Sequence, residues 1–119
     1  MPISQSYLDY IIDQLKSIGP VTAQRMFGGA GLYHKGTFFG LVAEDILYFK
    51  AGDSNRKDYL DAGMGPFKPF GSYAMDYYEV PADVLEDADE LAAWAKKAIE
   101  VTGKARSRSS TAGKKKMKK

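Results

Sequence analysis

Cysteine is absent from this sequence. Disulfides, thiolate metal sites and thiol nucleophiles are excluded with it, and a cytoplasmic, reducing location is expected. Histidine occurs once, as His34, so a metal centre would have to be built from carboxylates. No apolar run approaches the roughly 20 residues of a membrane span, and no contact with a membrane is expected. The N-terminus lacks the basic and apolar regions of a secretory signal. No serine stands in a nucleophile-elbow setting. His34 lies beside a turn and reads as exposed and idle, although an imidazole there could serve in catalysis. No catalytic residue, cofactor or metal is expected, and the chain does not read as an enzyme.

What is present begins with a division of charge. The 119 residues carry a net charge of +2. From position 104 onward stand Lys104, Arg106, Arg108, Lys114, Lys115, Lys116, Lys118 and Lys119 with no acidic residue, which leaves nine basic against fifteen acidic in residues 1–103. Two parts are therefore expected: a folded body over 1–103 and a basic tail over 104–119. The tail has almost nothing apolar to bury and reads as disordered. It either keeps the protein soluble or touches DNA or RNA through nonspecific charge. The acidic body argues against a basic groove on the folded part.

Along the body, Tyr7, Leu8, Ile11, Ile12, Leu15 and Ile18 recur at helical spacing and predict a helix over 2–19 with one apolar stripe. Ser6 with Asp9 resembles a capping box, with Ser4 as a rival cap, and Gly19-Pro20 ends the helix. Residues 21–27 read as a strand interrupted by Gly28-Gly29-Ala30-Gly31. These glycines could cradle a phosphate, but such loops open onto a helix, and β-type sequence follows here. A bulge or a close backbone crossing is the plainer reading. Lys35-Gly36 and Glu44-Asp45 read as hairpin turns around an apolar strand over 37–43. Ile46 to Lys50 alternates, with Leu47 and Phe49 on one face and Ile46, Tyr48 and Lys50 on the other.

A short edge helix over 53–62 follows, capped by Asp53 or Ser54, anchored by Tyr59 and Leu60, ended by Gly63 and comparatively mobile. Residues 63–71 form a loop or irregular edge strand, and residues 73–80 a strand. After Pro81, the pairs Asp83/Glu86 and Asp87/Glu90 predict a short turn and then a main helix ending at Gly103. The fold class is α+β: two layers, with an antiparallel sheet built on a central meander and N- and C-terminal helices packed against it. The aromatics gathered in the strands read as core, as a surface for stacking bases, or as a protein or dimer interface.

Arg25, Met26, Phe27, Gly28, Gly29, Gly31 and Tyr33, then Gly36, then Leu47-Tyr48-Phe49-Lys50, and later Tyr78 and Pro81, stand in an order that resembles the TfoX/Sxy N-terminal domain. The likeness covers about residues 5–103. It implies helices on an antiparallel sheet, and a stand-alone relative of bacterial competence regulators with no catalytic residues to carry over. Those regulators add a second domain where this sequence has its basic tail. The resemblance thus suggests a regulatory or adaptor domain. A protein partner meeting its exposed tyrosines and sheet edge is expected, and an aromatic-rich sheet edge makes a homodimer a further expectation. Nucleic-acid binding through the tail, and a small-molecule site near Arg25 and Lys50, are the alternatives.

Overall fold

The structure, a computed structural model, describes the backbone of residues 4–26, 29–68 and 75–112, and their side chains except those of Met26 and 104–112. Helix α1 (Gln5–Gln14) starts at Ser4, whose Oγ accepts the Tyr7 N–H. Ser4, not Ser6, is the cap. It also donates its own N–H to Asp45 Oδ1 at 2.9 Å, an anchor the helix pattern cannot reveal. A 3₁₀ turn (Lys16–Ile18) follows, and Gly19, at φ 101°, swings the chain into the sheet.

The sheet is an open antiparallel meander in the order β1 (Val21–Met26), β2 (Gly29–His34), β3 (Thr37–Ala43), β4 (Ile46–Lys50), β5 (Tyr77–Glu79). Both expected two-residue turns are present. Lys35 and Gly36 have φ 50° and 83°, and Glu44 and Asp45 have φ 53° and 58°. Two successive positive φ values are what the right-handed twist of a tight hairpin requires. The glycine run does not interrupt the strands as expected: Gly29 to Gly31 lies inside β2. Its close-crossing role holds, because a Cβ on Gly29 would collide with the Val42 carbonyl oxygen of β3. Phe27 and Gly28 lie outside the described residues.

The bulge falls on β3 instead. Tyr33 stands opposite Phe38 but Leu32 stands opposite Gly40, so Phe39 is the extra residue. It turns Phe39 and Gly40 to the same side as Leu32, Val42, Leu47 and Phe49. Phe39 and Phe49 are both fully buried, with ring centroids 5.7 Å apart. A Cβ on Gly40 would lie 2.8 Å from the Tyr48 carbonyl oxygen and 2.9 Å from the Phe49 ring. The bulge aims a large ring into the core, and the adjacent glycine leaves room for it.

Helix α1 covers this inner face with Leu8, Ile11 and Leu15, and helix α4 (Ala88–Ala112) covers it with Leu91, Ala95 and Ala98. Each large buried side chain contributes roughly 1.5–3 kcal/mol of hydrophobic stabilisation. Asp87 caps α4, its Oδ1 accepting from the N–H groups of Asp89 and Glu90. The other expected pair does not cap: Pro81 occupies the N-cap position of α3 (Ala82–Leu85). Gly103 does not end α4, which runs on to Ala112. A helical glycine costs only about 1 kcal/mol against alanine, so flanking helix formers carry the chain past it.

Helix α2 (Arg56–Asp61) begins later than expected. Neither Asp53 nor Ser54 caps it, and Leu60 is 54% exposed. Tyr59 is its buried apolar anchor, and Gly63, at φ 79°, follows its end. Residues 65–67 run along the far side of β5 as an irregular edge, through a Pro66–Tyr78 bridge and a 2.7 Å bond from the Phe67 N–H to the Tyr77 carbonyl. The strand expected over 73–80 is short: β5 spans Tyr77–Glu79, and Tyr73 and Ala74 lie outside the described residues. Among the described residues, no helix is long and apolar enough to cross a membrane.

Candidate functional site

Strand alternation sorts the motif residues between two faces. The registers Arg25↔Ala30↔Val42↔Leu47 and Leu32↔Gly40↔Phe49↔Tyr78 form the inner face. Leu47 and Phe49 are core residues. Tyr78 packs on the Tyr59 ring at 5.8 Å, and Pro81 is buried at the start of α3. Arg25 sits at the edge of this face, its Nη2 donating to Gln5 Oε1 at 2.8 Å. Gly29 serves a close strand crossing and Gly36 a turn, while Gly31 is a buried position within β2. Met26 belongs to β1, and its side chain lies outside the described residues.

Lys50 is on the opposite face and three strands away from Arg25. The structure does not bring the two together. Lys50 Nζ sits 5.2 Å from the centroid of the Tyr77 ring, a cation–π contact, while the Arg25 guanidinium is engaged by α1. The glycine segment opens onto β-structure, with no helix N-terminus to bind an anion.

His34 is not idle. Its Nε2 lies 2.8 Å from the Ile18 carbonyl oxygen, and because a carbonyl only accepts, Nε2 carries the proton. Val21 stands opposite His34 in the register, so the turn that leads into β1 passes over the imidazole. The residue ties that turn to the sheet. Among the described residues, no three His, Asp or Glu side chains cluster as metal ligands.

The outer face is aromatic. Tyr33 and Phe38 lie 5.2 Å apart, Phe38 and Tyr77 5.7 Å, and Tyr48 and Phe67 4.7 Å. Leu41, Ile46 and Lys50 complete it. All are half-buried except Tyr77, which is buried. Burial, then the Glu79 and Glu44 carboxylates, raises the Tyr48 pKa above its ordinary value of 10.0. Burial, then Tyr33 and Asp76, raises that of Tyr77. Both phenols are therefore neutral hydroxyls at physiological pH, able to donate and accept hydrogen bonds. Lys50 is the one basic side chain in this group and Glu79 flanks it, so the face lacks the basic interleaving of a base-stacking platform.

Two contributors escaped the sequence reading. Phe67, in a Gly/Pro-rich stretch, covers Tyr48. Asn55, 1% exposed, accepts the Gly52 N–H and donates to the Lys50 carbonyl, which fixes the end of the strand that carries Tyr48 and Lys50. An asparagine two residues past Asp53 was the available signal, since its side-chain amide can both donate and accept.

Of the expected nucleic-acid contacts, Lys104, Arg106 and Arg108 lie on the last turns of α4, and their side chains lie outside the described residues. Lys114, Lys115, Lys116, Lys118 and Lys119 lie wholly outside them.

No curated protein matches the chain. A family model described as TfoX N-terminal domain matches residues 13–102, which takes in all five strands and the body of α4. The match and the fold agree that the chain belongs to the TfoX N-terminal domain family, a family linked to regulators of competence.

Proposed function

We propose that this domain is a non-enzymatic regulatory or adaptor module that acts through contact with a protein partner. The observation that carries this reading is the outer sheet face, where Tyr33, Phe38, Tyr48 and Phe67 form a half-buried aromatic surface around the buried Tyr77. Aromatic side chains, and tyrosine above all, supply large contact area at low entropic cost and are enriched at the centres of protein interfaces. The partner surface that fits is apolar, with acceptors for the tyrosine hydroxyls.

The test is a pull-down with the full chain, with a chain ending at Gly103, and with Tyr48→Ser. It is scored for protein and nucleic acid together. One protein captured by the first two and lost with Tyr48→Ser supports the reading. Capture indifferent to Tyr48 contradicts it.

The second reading is binding of DNA or RNA through the basic tail, favoured by eight basic residues without an acidic one from position 104 onward. It requires nucleic acid to vanish with residues 104–119 and its affinity to fall steeply with salt. A small-molecule site at Arg25 and Lys50 has no geometry in its favour, because the two side chains occupy opposite faces.

A further inference from the structure

The two edges of the sheet are unlike. Beyond β5 runs the strip 65–67, where Pro66 has no N–H to offer and where the Tyr77 carbonyl and the Glu79 N–H are already bonded to Phe67 and Gly65. Beyond β1 there is nothing among the described residues. Its six residues, Val21–Met26, pair on one side only. Of the usual protections of an edge, β1 lacks proline, bulge and lysine and keeps a single charge. Its one charge, Arg25, is turned to the inner face and held by Gln5.

The direction of the free backbone groups follows from the hairpins. His34 and Thr37 flank the two-residue Lys35-Gly36 turn, so they form a hydrogen-bonded pair and His34 directs its backbone groups to β3. Tyr33 then directs its own to β1, at Thr22. By alternation Thr22 and Gln24 bond inward, and Val21, Ala23 and Arg25 point their N–H and C=O outward.

We infer that β1 pairs antiparallel with β1 of a second copy of this chain, about a two-fold axis through Ala23. In that register Val21 meets the partner's Arg25, Thr22 meets the partner's Gln24, and Ala23 meets its own equivalent. All three outward residues find partners. No like charges oppose each other. The residue that must face itself at the axis is the smallest in the strand. Because the same edge is used by both copies and the β5 edge is closed, the pairing is isologous and stops at two rather than growing into a fibre. The two outer faces then lie side by side, with Thr22 and Gln24 of both copies between the aromatic patches. The inference does not depend on the adaptor reading.

The test is sedimentation equilibrium of the full chain in nuclease-treated, high-salt buffer, which removes association through the tail. Thr22→Lys/Gln24→Lys is the matched variant. Both positions are exposed, and each introduced lysine would face an introduced lysine of the other copy across the axis. A mass of twice the chain that falls to once the chain in the double variant, with an unchanged circular dichroism spectrum, is the expected result. Ala23→Pro, which costs no bond to β2, should do the same. A wild-type chain that stays at single-chain mass at high concentration overturns the inference, as does a dimer that survives both variants. The Tyr48→Ser pull-down is read separately, so loss of the dimer and loss of the protein partner are distinguishable.

Discussion

Tyr59 of α2 and Trp94 of α4 meet edge to face, their ring centroids 4.8 Å apart and their planes at 86°. This contact locks the short helix to the long one, with an ion pair between Asp58 and Lys97 at 2.8 Å on its solvent side. The aromatic pair is worth about 0.5–1.5 kcal/mol beyond its buried area. The Tyr59 hydroxyl, however, is buried without a hydrogen-bond partner among the described residues. Tyr59→Phe should therefore leave the protein as stable or raise its stability by about 1 kcal/mol, since it removes an uncompensated polar atom and keeps the ring. Tyr59→Ala should cost roughly 3–5 kcal/mol. Urea unfolding of the two variants checks the pair, and a Tyr59→Phe less stable than wild type by a full kcal/mol would contradict it.

Asn55 makes a contrasting case, a buried polar side chain that is satisfied on both sides. Asn55→Ala should cost about 1–3 kcal/mol, because the Gly52 N–H and Lys50 carbonyl lose their partners. Asn55→Asp should cost more, since it buries a carboxylate and removes the donor to the Lys50 carbonyl. The order of their unfolding midpoints, wild type above Ala above Asp, is the measurement.

These two residues also mark where the sequence was legible and where it was not. Periodicity reports which side chains share a face, so the alternation of Leu47 and Phe49 against Tyr48 and Lys50 was readable directly, as were the turns at Lys35-Gly36 and Glu44-Asp45. The fold class follows from these. Periodicity says nothing of contacts between residues distant in sequence. The Ile18 carbonyl over His34 and the Ser4–Asp45 anchor are of that kind. The Asn55 hydrogen bonds are local, to Gly52 and Lys50, but they lie in a turn where apolar periodicity carries no signal. The Phe39 bulge shifts the pattern by one residue inside an apolar run, where a shift leaves no trace. The aromatic surface was visible as composition, but its sorting onto one outer face needed the strand registers.

Glycines separate close packing from permissiveness. Gly40→Ala should be destabilising by about 1–3 kcal/mol, because its Cβ would press on the Tyr48 backbone and the Phe49 ring, neither free to yield. Gly103→Ala should do the reverse. No described atom lies within 4 Å of an added Cβ, and the residue is inside α4. A gain of up to about 1 kcal/mol with increased helical circular dichroism is expected. No gain in helicity would mean that the helix does not continue through residue 103.

Alkaline pH should weaken the fold through its tyrosines. Burial raises the pKa of Tyr7, Tyr48, Tyr59 and Tyr77 above 10.0. At Tyr7 the Asp45 and Glu79 carboxylates add to the effect, while a backbone hydrogen bond with Leu47 opposes it. The unfolded chain, with ordinary phenols, loses these protons first. Above pH 10 it therefore binds fewer protons than the native state, and stability falls as pH rises. Below that pH the four phenols are protonated in both states and the contribution is complete. Urea midpoints should accordingly be flat with respect to these groups up to about pH 9 and decline above pH 10. Tyr59→Phe should flatten that decline, because Tyr59 is the most deeply buried of the four. Phenolate absorbance recorded alongside should appear later in the folded protein than in the urea-unfolded chain. Coincident titration curves for the two states would contradict the assignment.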